Sequence, residues 1–257
     1  MPFKARSGSS PDSILIGLLA AMVLLAWYAL WVWGDSAYGH VLLHGYRHPR
    51  TGSQNAVLFA AIFVGSWTLM TIAMMLPTSI PLIVLFHRMV RDRNYAIWLV
   101  TILLCGYVGT WAFCGVLLQL ANSALQAGFA HVSWLGAPWI SGAVILTIAG
   151  LYQFSSLKYA CLDKCRSPLS FITSRWQGGN ESAQSLRIGV EHGLFCVGCC
   201  WSLMALMFLV GTGNLIWMLL LGAVMALEKN LPWGHRLSAP LGWILLTAAV
   251  AVAVGMR

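Results

Sequence analysis

Long apolar runs separated by short polar stretches set the pattern of this chain. Seven runs occur, at about residues 14–33, 56–86, 95–120, 139–159, 188–210, 215–227 and 241–256. Most reach or approach the roughly 20 residues a helix needs to cross a bilayer core about 30 Å thick. The pattern predicts an all-α fold, a polytopic transmembrane helical bundle forming a single integral membrane domain over residues 1–257. The second run is long for one crossing, so it should tilt, kink or protrude. The sixth is short and follows the fifth through Gly211-Thr212-Gly213-Asn214, a tight helical hairpin turn. Seven helices are expected, with six as the alternative count.

Composition strengthens this reading. The chain is 59% hydrophobic and 9% charged, with a mean hydropathy of +0.78. A soluble domain is nearer 45–50% apolar and about 25% charged. A soluble enzyme, a disordered chain and a secreted disulfide scaffold are therefore excluded. The seven cysteines are an odd count without disulfide-framework spacing. The run at 14–33 exceeds a typical signal-peptide core and has no A-x-A exit, so it reads as a retained first helix.

The net charge of +8 is scattered between apolar runs, which argues against a nucleic-acid surface and for a topological signal. With the N-terminus cytoplasmic, the inner segments hold Lys4, Arg6, Arg88, Arg91, Arg93, Lys158, Lys164, Arg166, Arg175, Arg187, Lys229 and Arg236. Only Arg47, Arg50 and Arg257 fall outside. That asymmetry supports seven spans with the N-terminus inside.

Four constellations carry candidate chemistry. His40, His44 and His48 follow the first helix on the outer side and, if helical, share one face within an arc of about 80°. Imidazoles so placed suit Zn, Cu or Ni. On the fifth helix, His192, Cys196, Cys199, Cys200 and Met207 fall within an arc of about 100°. Glu191 stands off that face near the cytoplasmic end. A lone Cys or Met is an ordinary packing residue. Stacked with an intramembrane His and Glu, the group reads as functional. Gly189, Gly193 and Gly198 would let another helix approach closely.

The second helix places Met70 and Met74 on one face with Pro77, Thr78 and Pro81, while Met75 points elsewhere. Pro77 and Pro81 lack amide donors, free backbone carbonyls and bend the helix at the depth of the cysteines. The second helix is therefore expected to face the fifth, with Met70 or Met74 beside the thiols. Finally, Cys161 and Cys165 stand at i and i+4 on the cytoplasmic side, where neighbouring Lys and Arg would favour thiolate. They form a candidate inner metal or thiol pair.

These residues, Met74-Met75-Leu76-Pro77 on an early helix, then Cys196, Cys199, Cys200 and Trp201 in a CxxCCW element, then Glu228-Lys229, resemble a bacterial family of predicted metal-binding integral membrane proteins, a domain of unknown function. The resemblance spans the second through sixth helices and implies metal binding within a bacterial inner (plasma) membrane, as a multi-pass protein. It does not include the outer histidines.

The leading expectation is a membrane metal-binding protein that handles a soft transition metal by transport or delivery. Sulfur ligands favour copper over zinc. The ligands would be Cys196, Cys199, Cys200, His192, Met70 and Met74 in the membrane and His40, His44 and His48 outside, with Glu191, Met207, Pro77 and Glu228 supporting. The other readings are a membrane thiol–disulfide oxidoreductase, through the CxxC spacing, and a non-catalytic subunit of a larger membrane metalloenzyme complex. Expected partners are the lipid bilayer and a metallochaperone or metalloenzyme, not nucleic acid. No Walker motif or nucleophile–base pair is recognisable, so no catalytic residue is assigned and an enzyme is the less favoured reading.

Overall fold

The computed structural model describes residues 11–34, 53–128, 138–210 and 214–255. Among these residues the chain is helical, with no strand. The α-helices are α1 (Pro11–Gly34), α2 (Ser53–Val90), α3 (Ala96–Gly128), α4 (Pro138–Tyr152), α5 (Ser156–Arg166), α6 (Pro168–Thr173), α7 (Glu181–Ala205), α8 (Met207–Val210), α9 (Leu215–Asn230) and α10 (Ser238–Gly255), with a 3-10 turn at Gly234–Leu237 before α10. The outer histidines His40, His44 and His48 lie outside the described residues.

Among the described residues, five helices are long and apolar enough to cross a membrane: Asp12–Gly34, Ala60–Val90, Ala96–Ala121, Glu181–Ala205 and Gly234–Gly255. The pair Trp139–Tyr152 and Ser156–Arg166 meets at 63° and makes a sixth if it is one span. The expected run at 139–159 is thus broken rather than straight. Ser155 caps the new helix, its hydroxyl accepting from the backbone of Leu157 and Lys158, which ends α4 and starts α5 in a new direction. The sixth expected run is helical but only 16 residues long.

Ion pairs gather at one end of the bundle. Asp12, at the start of α1, accepts from Arg88 at 2.8 Å near the end of α2. Glu181, at the start of α7, pairs with Arg93 at 3.2 Å between α2 and α3. Tyr95 donates to the same carboxylate at 2.9 Å, which holds its phenol above the ordinary value.

α7 runs through the middle, packed on α3 and α5. Its glycines explain how closely. A Cβ on Gly189 would collide with the Leu103 carbonyl of α3, and one on Gly193 would lie 2.8 Å from Thr110. From the other side, a Cβ on Gly106 would stand 2.7 Å from the Leu186 carbonyl. This is close small-residue packing, but with α3 rather than α2, as the sequence had suggested. Gly198 admits α5, since a Cβ there would lie 2.5 Å from Cys161 Sγ.

α2 stays helical through Pro77 and Pro81. Pro77 removes the amide that would bond to the carbonyl of Ala73. The indole Nε1 of Trp27 on α1 donates to that carbonyl at 3.1 Å. Large apolar side chains such as Leu24, Leu25, Ile97, Trp98, Ile216 and Trp243 stand exposed around the bundle, a surface suited to lipid.

Candidate metal centre

Two adjacent turns of α7 bury Cys196, Cys199 and Cys200, each at most 1% exposed. The thiols of Cys199 and Cys200 both donate to the Cys196 carbonyl, at 3.2 and 2.7 Å. Such back-bonding to the previous turn is local and leaves the sulfur lone pairs free. Two other helices supply the sulfur that faces them. Cys200 Sγ lies 3.6 Å from Met75 Sδ on α2. Cys199 Sγ lies 4.0 Å from Cys165 Sγ on α5. Metal–thiolate bonds are about 2.3 Å long for zinc, so two sulfurs at that separation are within reach of one shared ion.

The methionine meeting the thiols is therefore Met75, not Met70 or Met74. Met74 lies against Gly222 of α9 instead, and Met70 is buried in the apolar core. The expected inner pair also divides. Cys161 packs on Gly198, whereas Cys165 joins the cluster of α7. The helical face that was expected to continue to Met207 ends at Ala205, and Met207 opens the short α8. Glu191 is held by Arg175, and by Arg187 at 2.7 Å, and serves as an ion-pair anchor.

His192 is buried beside this cluster. Its Nε2 lies 3.1 Å from Ser79 Oγ, and its ring stacks on Tyr107 with centroids 5.5 Å apart. Its Nδ1 is buried without a hydrogen-bond partner. A buried ring nitrogen with no partner is uncommon and keeps a lone pair or proton available.

The residue that sequence reasoning passed over is Lys229. The sequence offers it as an inner basic residue and as part of the Glu228-Lys229 element, not as a group at the metal site. In the structure it is buried at the end of α9, and its Nζ donates to Cys196 Sγ at 2.9 Å. The same nitrogen lies 3.3 Å from Thr78 Oγ1 and 3.9 Å from Met75 Sδ. Tyr107 completes this side, its hydroxyl 3.2 Å from Cys196 Sγ and also donating to the Met75 carbonyl at 3.2 Å. The available signal was an ionisable pair, Glu228-Lys229, directly at the end of an apolar run.

Its neighbour Glu228 faces the other way. Lys158 Nζ bonds both carboxylate oxygens, at 2.8 and 3.0 Å, and also reaches Gln153 Oε1. Ser238 donates to the same carboxylate at 2.7 Å, and Arg166 donates to the Glu228 backbone carbonyl at 2.5 Å. This network ties α9 to the bend between α4 and α5, and so fixes the turn that carries Lys229.

Among the described residues, no three His, Cys, Asp or Glu side chains form a ready-made metal group. The donors are instead paired sulfurs, with a thioether and an unpartnered imidazole nitrogen nearby. Soft sulfur donors of this kind select thiophilic ions such as Cu(I), whereas structural zinc takes four ligands.

The family model described as a copper chaperone (PpoB2) matches residues 64–252, from α2 to α10. The chain belongs to this copper chaperone family. The matched region contains every residue of the sulfur cluster, and the match agrees with the resemblance to metal-binding membrane proteins drawn from the same motifs. No curated protein and no solved structure matches the chain.

Proposed function

We propose that this protein holds Cu(I) as cargo at the buried sulfur cluster and hands it to a metalloenzyme or metallochaperone partner at the surface of the bacterial inner membrane. The observation that carries the reading is the meeting of Cys199 with Cys165 and of Cys200 with Met75, from three helices, in an apolar interior. Cys196, Cys199, Cys200, Cys165 and Met75 are the proposed ligands. His192 is proposed as a secondary contact, because its Nδ1 is buried without a hydrogen-bond partner one helical turn before Cys196. The family's description as a copper chaperone favours delivery over transport. The bundle is proposed to cross the membrane with the ion-paired, Arg-rich end cytoplasmic, and His40, His44 and His48 are kept as a proposed outer capture site.

The oxidoreductase alternative is weaker, because Cys196 and Cys199 are almost wholly buried and offer no approach to a protein dithiol. Elemental analysis of the purified protein loaded anaerobically with Cu(I) tests the proposal. The wild-type chain should retain copper and a Cys196/Cys199/Cys200→Ser variant should lose it, while His192→Ala weakens retention. Full copper retention by the triple variant would remove the site.

A further inference from the structure

The proposed ligands explain a preference for soft ions, but softness does not separate Cu(I) from soft divalent ions. The charge beside them does. We infer that Lys229 is a specificity-determining residue whose fixed positive charge makes the sulfur cluster accept monovalent thiophilic ions and reject divalent ones; this rests on the cluster being the metal site.

Three observations support it. Lys229 Nζ lies 2.9 Å from Cys196 Sγ and 3.9 Å from Met75 Sδ, so it borders the ion's own donors. Lys229 is buried, and water screens its charge poorly there. Among the described residues no carboxylate pairs with it, since adjacent Glu228 is taken by Lys158 at 2.8 Å. The neighbouring pair is neutral as a unit, which leaves Lys229 as the uncompensated charge at the cluster.

The charge count then decides. With two of the ligand thiols ionised, a monovalent ion and the ammonium bring the sum to zero, which an apolar interior tolerates. With the same two thiolates, a divalent ion leaves one net positive charge, which is costly to bury and is relieved only by ionising a third thiol. An ion bonded to Cys196 through a metal–sulfur bond of about 2.3 Å stands within about 5 Å of Nζ. At that distance and an effective dielectric of about 20, each further unit of ionic charge is disfavoured on the order of 100-fold. Tyr107 and Thr78 carry no charge to offset this.

Ag(I) and Cd(II) isolate the effect, because both are thiophilic and neither changes oxidation state on binding. Affinities of the full-length protein in detergent are measured by competition with thiol chelators, and Cd–thiolate absorbance is followed. The wild-type chain should bind Ag(I) and leave Cd(II) unbound at equal concentrations. Lys229→Met should lower the Ag(I)/Cd(II) affinity ratio on the order of 100-fold, and Lys229→Arg should keep it. An unchanged ratio in Lys229→Met overturns the inference. So does equal binding of both ions by the wild-type protein, which needs no variant to fold. Loss of both ions from a folded Lys229→Met chain also overturns it, since the lysine would then be needed for any binding. If the wild-type chain binds neither ion, the site itself fails. A result in which the triple Ser variant loses Ag(I) but the ratio ignores Lys229 leaves the site standing and removes only the selectivity.

Discussion

Cys165 Sγ stands 4.0 Å from Cys199 Sγ, although one belongs to a short polar helix and the other to the central apolar one. A bend of 63° separates α4 from α5, and α5 packs on α7 beyond it. A short bifunctional thiol reagent should therefore join Cys165 to Cys199 in the native protein, and peptide mapping would find the linked pair. Cys165→Ser should weaken Cu(I) binding by about tenfold or more, the order of a lost ligand or of its immediate support. Copper affinity indifferent to Cys165 would confine the site to α7 and Met75.

The Lys158–Glu228 pair is almost wholly buried, at 0% and 2% side-chain exposure. Removing one partner of such a pair strands the other and costs about 3–5 kcal/mol. Glu228→Gln should accordingly unfold at markedly lower temperature in detergent. Replacing both residues with apolar side chains of similar volume should recover most of the loss. If Glu228→Gln melts with the wild type, the pair is not desolvated.

Trp27 and Pro77 make a thermodynamic cycle available. Trp27→Phe leaves the Ala73 carbonyl without a donor, at a cost of about 1–3 kcal/mol. In a Pro77→Ala background the helix supplies its own amide to that carbonyl, so the same Trp27→Phe change should cost at least about 1 kcal/mol less. Equal costs in both backgrounds would show that the indole packs without serving the proline.

The proposed orientation is tested at Asp163, an exposed residue of α5. Asp163→Cys, in a chain whose exposed Cys105 is changed to Ser, should resist an impermeant maleimide in intact cells and react after lysis. Cys165 itself is a poor reporter, because its thiol is turned toward Cys199. Ready reaction of Asp163→Cys in intact cells would invert the bundle.

The helical runs were legible because apolar length needs no partner to be recognised. Each of the seven runs contains helix, and α2 keeps its helix through both prolines as the length and kink argument allowed. The choice of methionine was less accessible. A wheel drawn on a straight helix puts Met74 rather than Met75 with the thiols, but α2 carries Pro77 and Pro81 close by, where a uniform angular step is least reliable. The partner of the α7 glycines was likewise hidden, since a small residue says that something comes near without saying which helix does. Lys158 and Lys229 were counted as inner loop charges. Their burial depends on the α4–α5 bend and on the turn after α9, both tertiary features.

The backbone contact of α3 with α7 has a further consequence. At Gly106 and Gly189 the two helices already touch main chain to main chain, and close-packed interiors have little slack to give. The other neighbours reach the thiols of α7 with side chains alone: Met75 from α2, Cys165 from α5 and Lys229 from α9. The cradle is thus stiff on one flank and compliant on three, and a cargo ion has to leave where rotamers, rather than whole helices, give way.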